Sequence, residues 1–343
     1  MSHLPISMHA RIVEHRVEEA LRLKPDKVLL MKDGQQVFFG NTQDFLKIAD
    51  PTQVKLPIES TLRTVSDTRE VRELLIRPIT TGASGGSTQG EPILIFENVH
   101  YRYNSYSEEI LHGISSQIRR GETIALLGPN GSGKTTMVKQ ALGLLRPTSG
   151  SVILYGEDTR RLSVAQMASR IGYVFQSPSA MLFASTVRKE VSFGPENLRF
   201  PADRLKTSVK QSVEALNVAS FEERSPFSLS FGQQKRVSIA SVLAMQGKIL
   251  LLDEPTAGQD YRSYISFIEY MRSLPELDAL LFITHDLDLA LRFTQRVLLL
   301  KEGNVAADGP PLEVLADPAL LDSCNLRSTS LLHFLLSERN AVA

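Results

Sequence analysis

The stretch Glu122-Thr123-Ile124-Ala125-Leu126-Leu127 followed by Gly128-Pro129-Asn130-Gly131-Ser132-Gly133-Lys134-Thr135-Thr136 decides the fold. An apolar run that ends in turn residues reads as a strand buried on both faces. The residues after it fit G-x-x-x-x-G-K-[ST], and Met137 to Leu145 is helix-compatible, so the motif has the strand before and the helix after that a phosphate-binding loop needs. Glycines let successive backbone N–H groups curl around phosphate oxygens, and the helix N-terminus adds positive potential. Lys134 is placed to neutralise β- and γ-phosphate charge and the Thr135 hydroxyl to ligate Mg2+, with Gly128, Asn130, Gly131, Ser132, Gly133 and Thr136 completing the candidate nucleotide-binding loop.

Downstream, Ile249-Leu250-Leu251-Leu252 is a strand-like run that ends in Asp253-Glu254. Beside a phosphate-binding loop, a strand-end Asp253 is placed to hold Mg2+ through water, and Glu254 to polarise an attacking water. Strand and helix patterns alternate from about residue 91 to about residue 310, which predicts a mainly parallel sheet covered by helices on both faces.

Leu229-Ser230-Phe231-Gly232-Gln233-Gln234, Gln176 in Tyr173-Val174-Phe175-Gln176, and His285 in Phe282-Ile283-Thr284-His285-Asp286 follow in an order that one family requires. Residues 91 to about 310 resemble the nucleotide-binding subunit of an ABC (ATP-binding cassette) transporter. The resemblance implies an α/β P-loop NTPase of the ABC type with a helical subdomain, hydrolysing ATP with Mg2+. It implies that Ser230, Gly232 and Gln233, in the signature segment, contact the γ-phosphate held by an opposing cassette. It further implies that Gln176 reaches Mg2+, that His285 hydrogen-bonds the γ-phosphate, that Tyr103 stacks on adenine and that Asp260 is the D-loop aspartate, with Gln259 in place of the usual leucine. Phe231 stands where the family has glycine, so its ring is expected to point away from phosphate.

Leu182-Phe183-Ala184-Ser185-Thr186-Val187 and Phe193-Gly194-Pro195-Glu196-Asn197-Leu198 are similar to the energy-coupling-factor group of vitamin and metal-ion importers. That likeness implies a peripheral protein on the cytoplasmic face of the membrane. Its partners would be a second cassette, identical or not, an integral membrane transport subunit and a substrate-binding membrane subunit. Met181, Leu182 and Phe183, beside Gln176, are the expected apolar contacts for the transport subunit.

The first ninety residues carry an internal repeat. Lys27-Val28-Leu29-Leu30-Met31-Lys32-Asp33-Gly34 matches Arg296-Val297-Leu298-Leu299-Leu300-Lys301-Glu302-Gly303 at an offset of 269, and His15 with Ala20-Leu21-Arg22 matches His285 with Ala290-Leu291-Arg292 at 270. Residues 1–60 are therefore expected to be the C-terminal remnant of a first cassette, carrying two strands (11–14 and 28–31) and a helix (17–23). A linker is expected over 61–90, with Thr80 to Gly90 rich in Gly, Ser and Thr, then a complete cassette over 91–325 and a tail over 326–343. Such a remnant is expected to be mobile or to pack non-natively against the cassette.

Composition narrows the alternatives. Hydrophobic residues make up 42% of the 343, and 38 basic side chains balance 38 acidic ones, which argues against a partner recruited by bulk charge such as nucleic acid. The single cysteine, Cys324, suits a reducing compartment, no apolar run has membrane-helix length, and no leader pattern opens the chain. A soluble DNA-repair or ribosome-associated ATPase of the same superfamily is the competing function. The first would carry long heptad insertions between the P-loop and the signature, and the second a strongly basic linker; neither pattern is here.

Overall fold

The computed structural model describes residues 17–32, 34–50, 54–58, 60–61, 90–258 and 261–342. The expected strand at 11–14, His15, Gln259, Asp260 and nearly all of the expected linker lie outside these residues. The N-terminal part forms α1 (Val17–Arg22), β1 (Lys27–Lys32), β2 (Gln35–Asn41) and α2 (Thr42–Ile48). Then come β3 (Pro92–Tyr101), β4 (Leu111–Arg119), β5 (Glu122–Leu127), α3 (Lys134–Ala141), β6 (Ser149–Leu154), β7 (Glu157–Asp158), α4 (Val164–Ala168) and β8 (Ile171–Val174). Three helices, α5 (Val187–Asn197), α6 (Ala202–Ala215) and α7 (Phe231–Ala244), precede β9 (Ile249–Asp253), α8 (Tyr261–Ser273), β10 (Ala279–Ile283), α9 (Leu287–Phe293), β11 (Arg296–Lys301) and β12 (Asn304–Gly309). The chain closes with α10 (Pro311–Val314), α11 (Pro318–Ser323) and α12 (Ser330–Val342).

The main sheet has the order β12-β11-β5-β10-β9-β8 and is parallel except for β12 at its edge. Alternate residues of β5 enter different cores. Ile124 and Leu126 face a layer closed by α3 and a second, four-stranded antiparallel sheet, β4-β3-β6-β7, whereas Ala125 and Leu127 face α9, α10 and α12. A third core lies between β9, β10 and the helices α5 to α8. The antiparallel sheet has no counterpart in the sequence expectation, because its pairing partners, β3 with β4 and β6, are set by contacts that periodicity along one strand does not encode. The helix after the loop starts at Lys134 rather than Met137, since Gly133 itself is the N-cap, and it ends at Ala141 ahead of a left-handed Gly143.

Register places the functional loops. Ile283 lies opposite both Leu126 of β5 and Asp253 of β9, so the carboxyl ends of three adjacent strands finish level. The glycine-rich loop, Asp253-Glu254 and Thr284-His285 therefore emerge side by side at one sheet edge, where open α/β sheets bind ligands.

The N-terminal hairpin repeats the last one residue for residue. β1 pairs with β2 as Val28 to Gly40, Leu29 to Phe39, Leu30 to Phe38 and Met31 to Gln36, with a bulge after Leu30. β11 pairs with β12 as Val297 to Gly309, Leu298 to Asp308, Leu299 to Ala307 and Leu300 to Val305, with a bulge after Leu299. Every partner differs by 269. Cover is what distinguishes them: Leu298 and Leu300 are buried, whereas Leu29 and Met31 are 54% and 52% exposed. The segment 54–61 and the C-terminal helix pack against the cassette, with Ile58, Leu331, Leu332 and Leu335 in the same core as Ala125 and Leu127.

Candidate functional site

The loop after β5 is built on three glycines at positive φ, Gly128 (145°), Gly131 (82°) and Gly133 (99°). A side chain at Gly128 would run into the Leu300 carbonyl, and one at Gly133 would come within 2.7 Å of Leu111 Cδ2, whereas the space beside Gly131 is open. Ser132 is buried and its amide donates to the Pro129 carbonyl at 3.2 Å. Lys134 Nζ arches back over the loop and donates to the carbonyls of Gly128 (2.6 Å) and Pro129 (2.9 Å). Burial lowers the pKa of Lys134, and the nearby carboxylates of Glu254 and Asp253 work against that shift. Asn130 and Thr135 are exposed at the loop surface, and Thr136 is buried beneath it.

Asp253 ends β9 with Oδ2 accepting from the Tyr173 hydroxyl at 2.9 Å. Its pKa is raised by burial, with the Tyr173 hydrogen bond opposing the shift. Glu254 follows in the left-handed region, φ 44°, and its amide is pinned to the Ile283 carbonyl at 2.8 Å. Non-glycine residues held there cluster at functional sites, because the surrounding structure has to over-determine the strained backbone. The side chain is gripped at both oxygens: Oε1 lies 2.7 Å from His285 Nδ1, and Oε2 accepts from the Thr284 hydroxyl at 3.2 Å. Thr284 Oγ1 in turn accepts from the amide of Asp286 at 3.1 Å. Glu254 and His285 are thus joined directly, next to the loop that carries Lys134.

The other expected residues are set out around this centre. Tyr103 is 56% exposed and meets Tyr101 edge-on at 5.1 Å, which leaves a ring face for stacking. Gln176 is exposed just beyond β8. Ser230 and Gln233 form a reciprocal cap at the start of α7: Gln233 Oε1 accepts from the Ser230 amide at 2.9 Å, and Ser230 Oγ accepts from the Gln233 amide at 3.4 Å. Gly232 abuts Gly258, whose carbonyl would be 2.7 Å from a Cβ at position 232. The Phe231 ring occupies the space where a side chain at Gly258 would go, with nearly half of its surface exposed. It lies against Gly258 of its own cassette.

A sequence model of the ABC transporter family matches residues 111–257. A protein of Vibrio vulnificus that carries the name ABC transporter ATP-binding protein is 32% identical over 343 residues, covering 93% of this chain and 59% of its own length. The chain thus spans about three-fifths of the length of this curated relative. The structure of cbiO1 from Clostridium perfringens, described as part of the ABC transporter complex cbiONQ, is 34% identical, covers 71% of this chain and 99% of its own, and superposes with a TM-score of 0.61. The dimeric ATP-binding cassette MJ0796 bound to ADP and Pi is 27% identical, with 64% and 99% covered and a TM-score of 0.58. The chain belongs to the ABC transporter ATP-binding proteins. ATP hydrolysis is the chemistry of that domain family.

The loop of this ABC cassette fits a nucleotide. Ser132 Oγ is buried without a hydrogen-bond partner, the side of Gly131 is open, and the first turn of α3 has no side-chain cap, so oriented N–H groups are left for an anion. Among the described residues no cluster of three or more His, Cys, Asp or Glu side chains forms a metal cage. The donors at hand, a hydroxyl, an amide oxygen and one carboxylate, instead suit Mg2+ shared with phosphate oxygens.

Lys235 was not singled out by the sequence. It is fully buried on α7, and its Nζ donates to three carbonyls: Phe175 (2.7 Å), Gln176 (2.9 Å) and Asp253 (3.1 Å). The signature helix, the Gln176 segment and the end of β9 are thereby fastened at one point. Burial pulls its pKa down to about 8 despite the adjacent carboxylates of Asp253 and Glu254. A usable signal was present, since Lys235 shares helical spacing with the buried Ile239 and Val242 and so lies on the apolar face. Lys235→Met should lower both the unfolding midpoint and the ATP turnover, because stranding three buried carbonyls costs about 1–3 kcal/mol each. Thermal unfolding and steady-state hydrolysis of the same preparation test it.

Proposed function

We propose that this chain is the ATP-hydrolysing subunit of an importer of the energy-coupling-factor type, taking up a vitamin, a vitamin precursor or a metal ion. The observation that carries the hydrolytic half is the grip on Glu254 by His285 and Thr284 beside the Lys134 loop. In this reading Glu254 orients the attacking water and takes up its proton, while Lys134, the loop amides and His285 stabilise charge on the γ-phosphoryl group. Thr135, Gln176 and Asp253 would hold Mg2+, which would supply neutralisation of phosphate charge. Tyr103 would stack on adenine. Ser230, Gly232 and Gln233 would complete the site of an opposing cassette; the dimeric form in which MJ0796 was solved speaks for such pairing.

The importer half rests on the likeness to cbiO1 and on an apolar groove of about 280 Å3 next to Gln176, with Val164, Phe175, Met181, Phe183 and Phe193 in its wall. The proposed site of action is peripheral, at the cytoplasmic face, against an integral transport subunit and its substrate-binding partner; none of the described helices is long and apolar enough to cross a membrane. Of the expected contacts, Leu182 belongs to the core (5% exposed), whereas Phe183 is 58% exposed and packs on Phe193 at 4.7 Å. Phe183→Asp should abolish co-purification with the membrane subunits and leave ATP binding within about twofold. Leu182→Asp should unfold the cassette. Unimpaired membrane association of the Phe183→Asp protein would remove the groove from the proposal.

The proposal extends to residues 1–60 as the remnant of a first cassette, followed by a linker over 61–90, with the complete cassette over 91–325 and a tail after it. The shared register and bulge of the two hairpins support it, as does the greater length of the Vibrio vulnificus relative. So do Leu29 and Met31, which are exposed where their counterparts Leu298 and Leu300 are covered.

A further inference from the structure

Lys55 sits where the N-terminal segment meets the cassette, in a cluster of acids. Its Nζ lies 2.6 Å from Asp288 Oδ2, 3.3 Å from Glu18 Oε2 and 3.9 Å from Asp286 Oδ1. The carboxylates of Glu18 and Asp288 are almost fully buried, so this is an ion cluster inside the fold and not a solvated surface pair. Glu18 is also held from the other end of the chain, by the Ser330 hydroxyl at 3.0 Å.

Two features give the cluster meaning. Asp286 and Asp288 open the helix that directly follows His285: Asp286 Oδ1 caps α9 by accepting from the amides of Asp288 (3.0 Å) and Leu289 (3.2 Å), and its own amide donates to Thr284, which donates to Glu254. A chain of contacts therefore runs from Lys55 to Asp288 (2.6 Å), through the Asp288 amide to Asp286, and on to Thr284 and Glu254, with His285 inside the same turn. Second, the repeat offset of 270 that aligns His15 with His285 aligns Glu18 with Asp288. One amine thus bridges carboxylates at equivalent positions on α1 and α9, the two copies of the same helix.

We propose that Lys55 is a positioning residue for ATP hydrolysis: by bridging Glu18 of α1 and Asp288 of α9 it locks the helix behind His285 and so holds His285 and Thr284 on Glu254. The N-terminal segment is then a working part of the cassette's site. The assignment rests on the roles given above to Glu254 and His285. Burial alone would depress the Lys55 ammonium, and the Asp286, Asp288 and Glu18 carboxylates more than offset it, so Lys55 stays charged throughout the usable pH range. Asp288 is raised by burial with Lys55 opposing. The other ionisable groups lining this junction are Tyr261 of α8 and Arg292 of α9, which bond each other, while Tyr264 of α8 is fully buried nearby. Removing the amine takes away the cation that bridges the Glu18 and Asp288 carboxylates, and their repulsion would push α1 and α9 apart.

Full-length Lys55→Met and Lys55→Arg proteins test this by steady-state hydrolysis of MgATP and by hydrogen–deuterium exchange. For Lys55→Met we expect kcat to fall about tenfold with KM within about twofold, as for a misplaced group that does not bind the ground state. Exchange should rise in peptides covering 284–293 and stay unchanged in those covering 128–136. The deficit in kcat should shrink as the pH falls, since burial raises the Asp288 carboxyl and its protonation relieves the repulsion that the amine had balanced. Lys55→Arg should recover at least half of the loss. Wild-type kcat and wild-type exchange in Lys55→Met would overturn the proposal, as would a loss that is pH-independent, shared by kcat and KM, and unrescued by arginine. If the wild-type chain itself fails to hydrolyse ATP, the roles of Glu254 and His285 fall, while exchange at 284–293 still decides whether Lys55 locks that segment.

Discussion

Glu254→Gln should reduce ATP hydrolysis by about a hundred- to ten-thousand-fold, roughly 3–5 kcal/mol of transition-state stabilisation, with ATP still bound. The amide keeps the size of the side chain and an oxygen that can still accept from Thr284 or His285. What it loses is the charge that, in the proposed mechanism, draws a proton from the attacking water. The neutral side chain also removes a repulsive carboxylate from beside incoming phosphates, so nucleotide should accumulate on the enzyme. Single-turnover hydrolysis and filter retention of labelled ATP, measured together, separate these effects. Full turnover by the Glu254→Gln protein would exclude Glu254 as the general base.

Lys134→Ala should abolish hydrolysis and weaken nucleotide binding by about a hundredfold or more, since a charge-assisted contact in a partly buried site is lost with nothing to replace it. In this structure the ammonium is stored on the carbonyls of Gly128 and Pro129, already over the loop and partly desolvated. A phosphate therefore meets a donor whose dehydration was met during folding. Titration with a fluorescent ATP analogue gives the affinity. Tight binding by the alanine protein would mean that the loop amides suffice.

The loop and the strands that carry it were legible because their chemistry is local: a glycine-dependent turn, a lysine and a hydroxyl at fixed spacing, and apolar runs that can only be buried strands. Asp253 and Glu254 could be read for a related reason, as they end such a run, whereas His285 was legible only through the family resemblance; level strand ends bring the three together. Lys235 and Lys55 could not be read. A lysine in sequence is a solvated charge by default, and the carbonyls around Lys235 come from residues some sixty and eighteen positions away. The antiparallel sheet escaped for the same reason, and α12 did too. Its Leu331, Leu332 and Leu335 look like the apolar side of any short helix until Ile58 and Leu127 are seen across from them.

The paired hairpins amount to an internal control within a single polypeptide. Two short sequences with only partial identity turn through left-handed glycines, Gly34 at φ 77° and Gly303 at φ 73°, and slip register at the same step. One copy sits at the edge of a six-stranded sheet and the other stands as a two-stranded ribbon. Pairing and bulge are hence written into each ribbon's own residues, and the surrounding sheet determines only which side is dry. A hairpin of this kind keeps its shape whether one of its faces is covered or open.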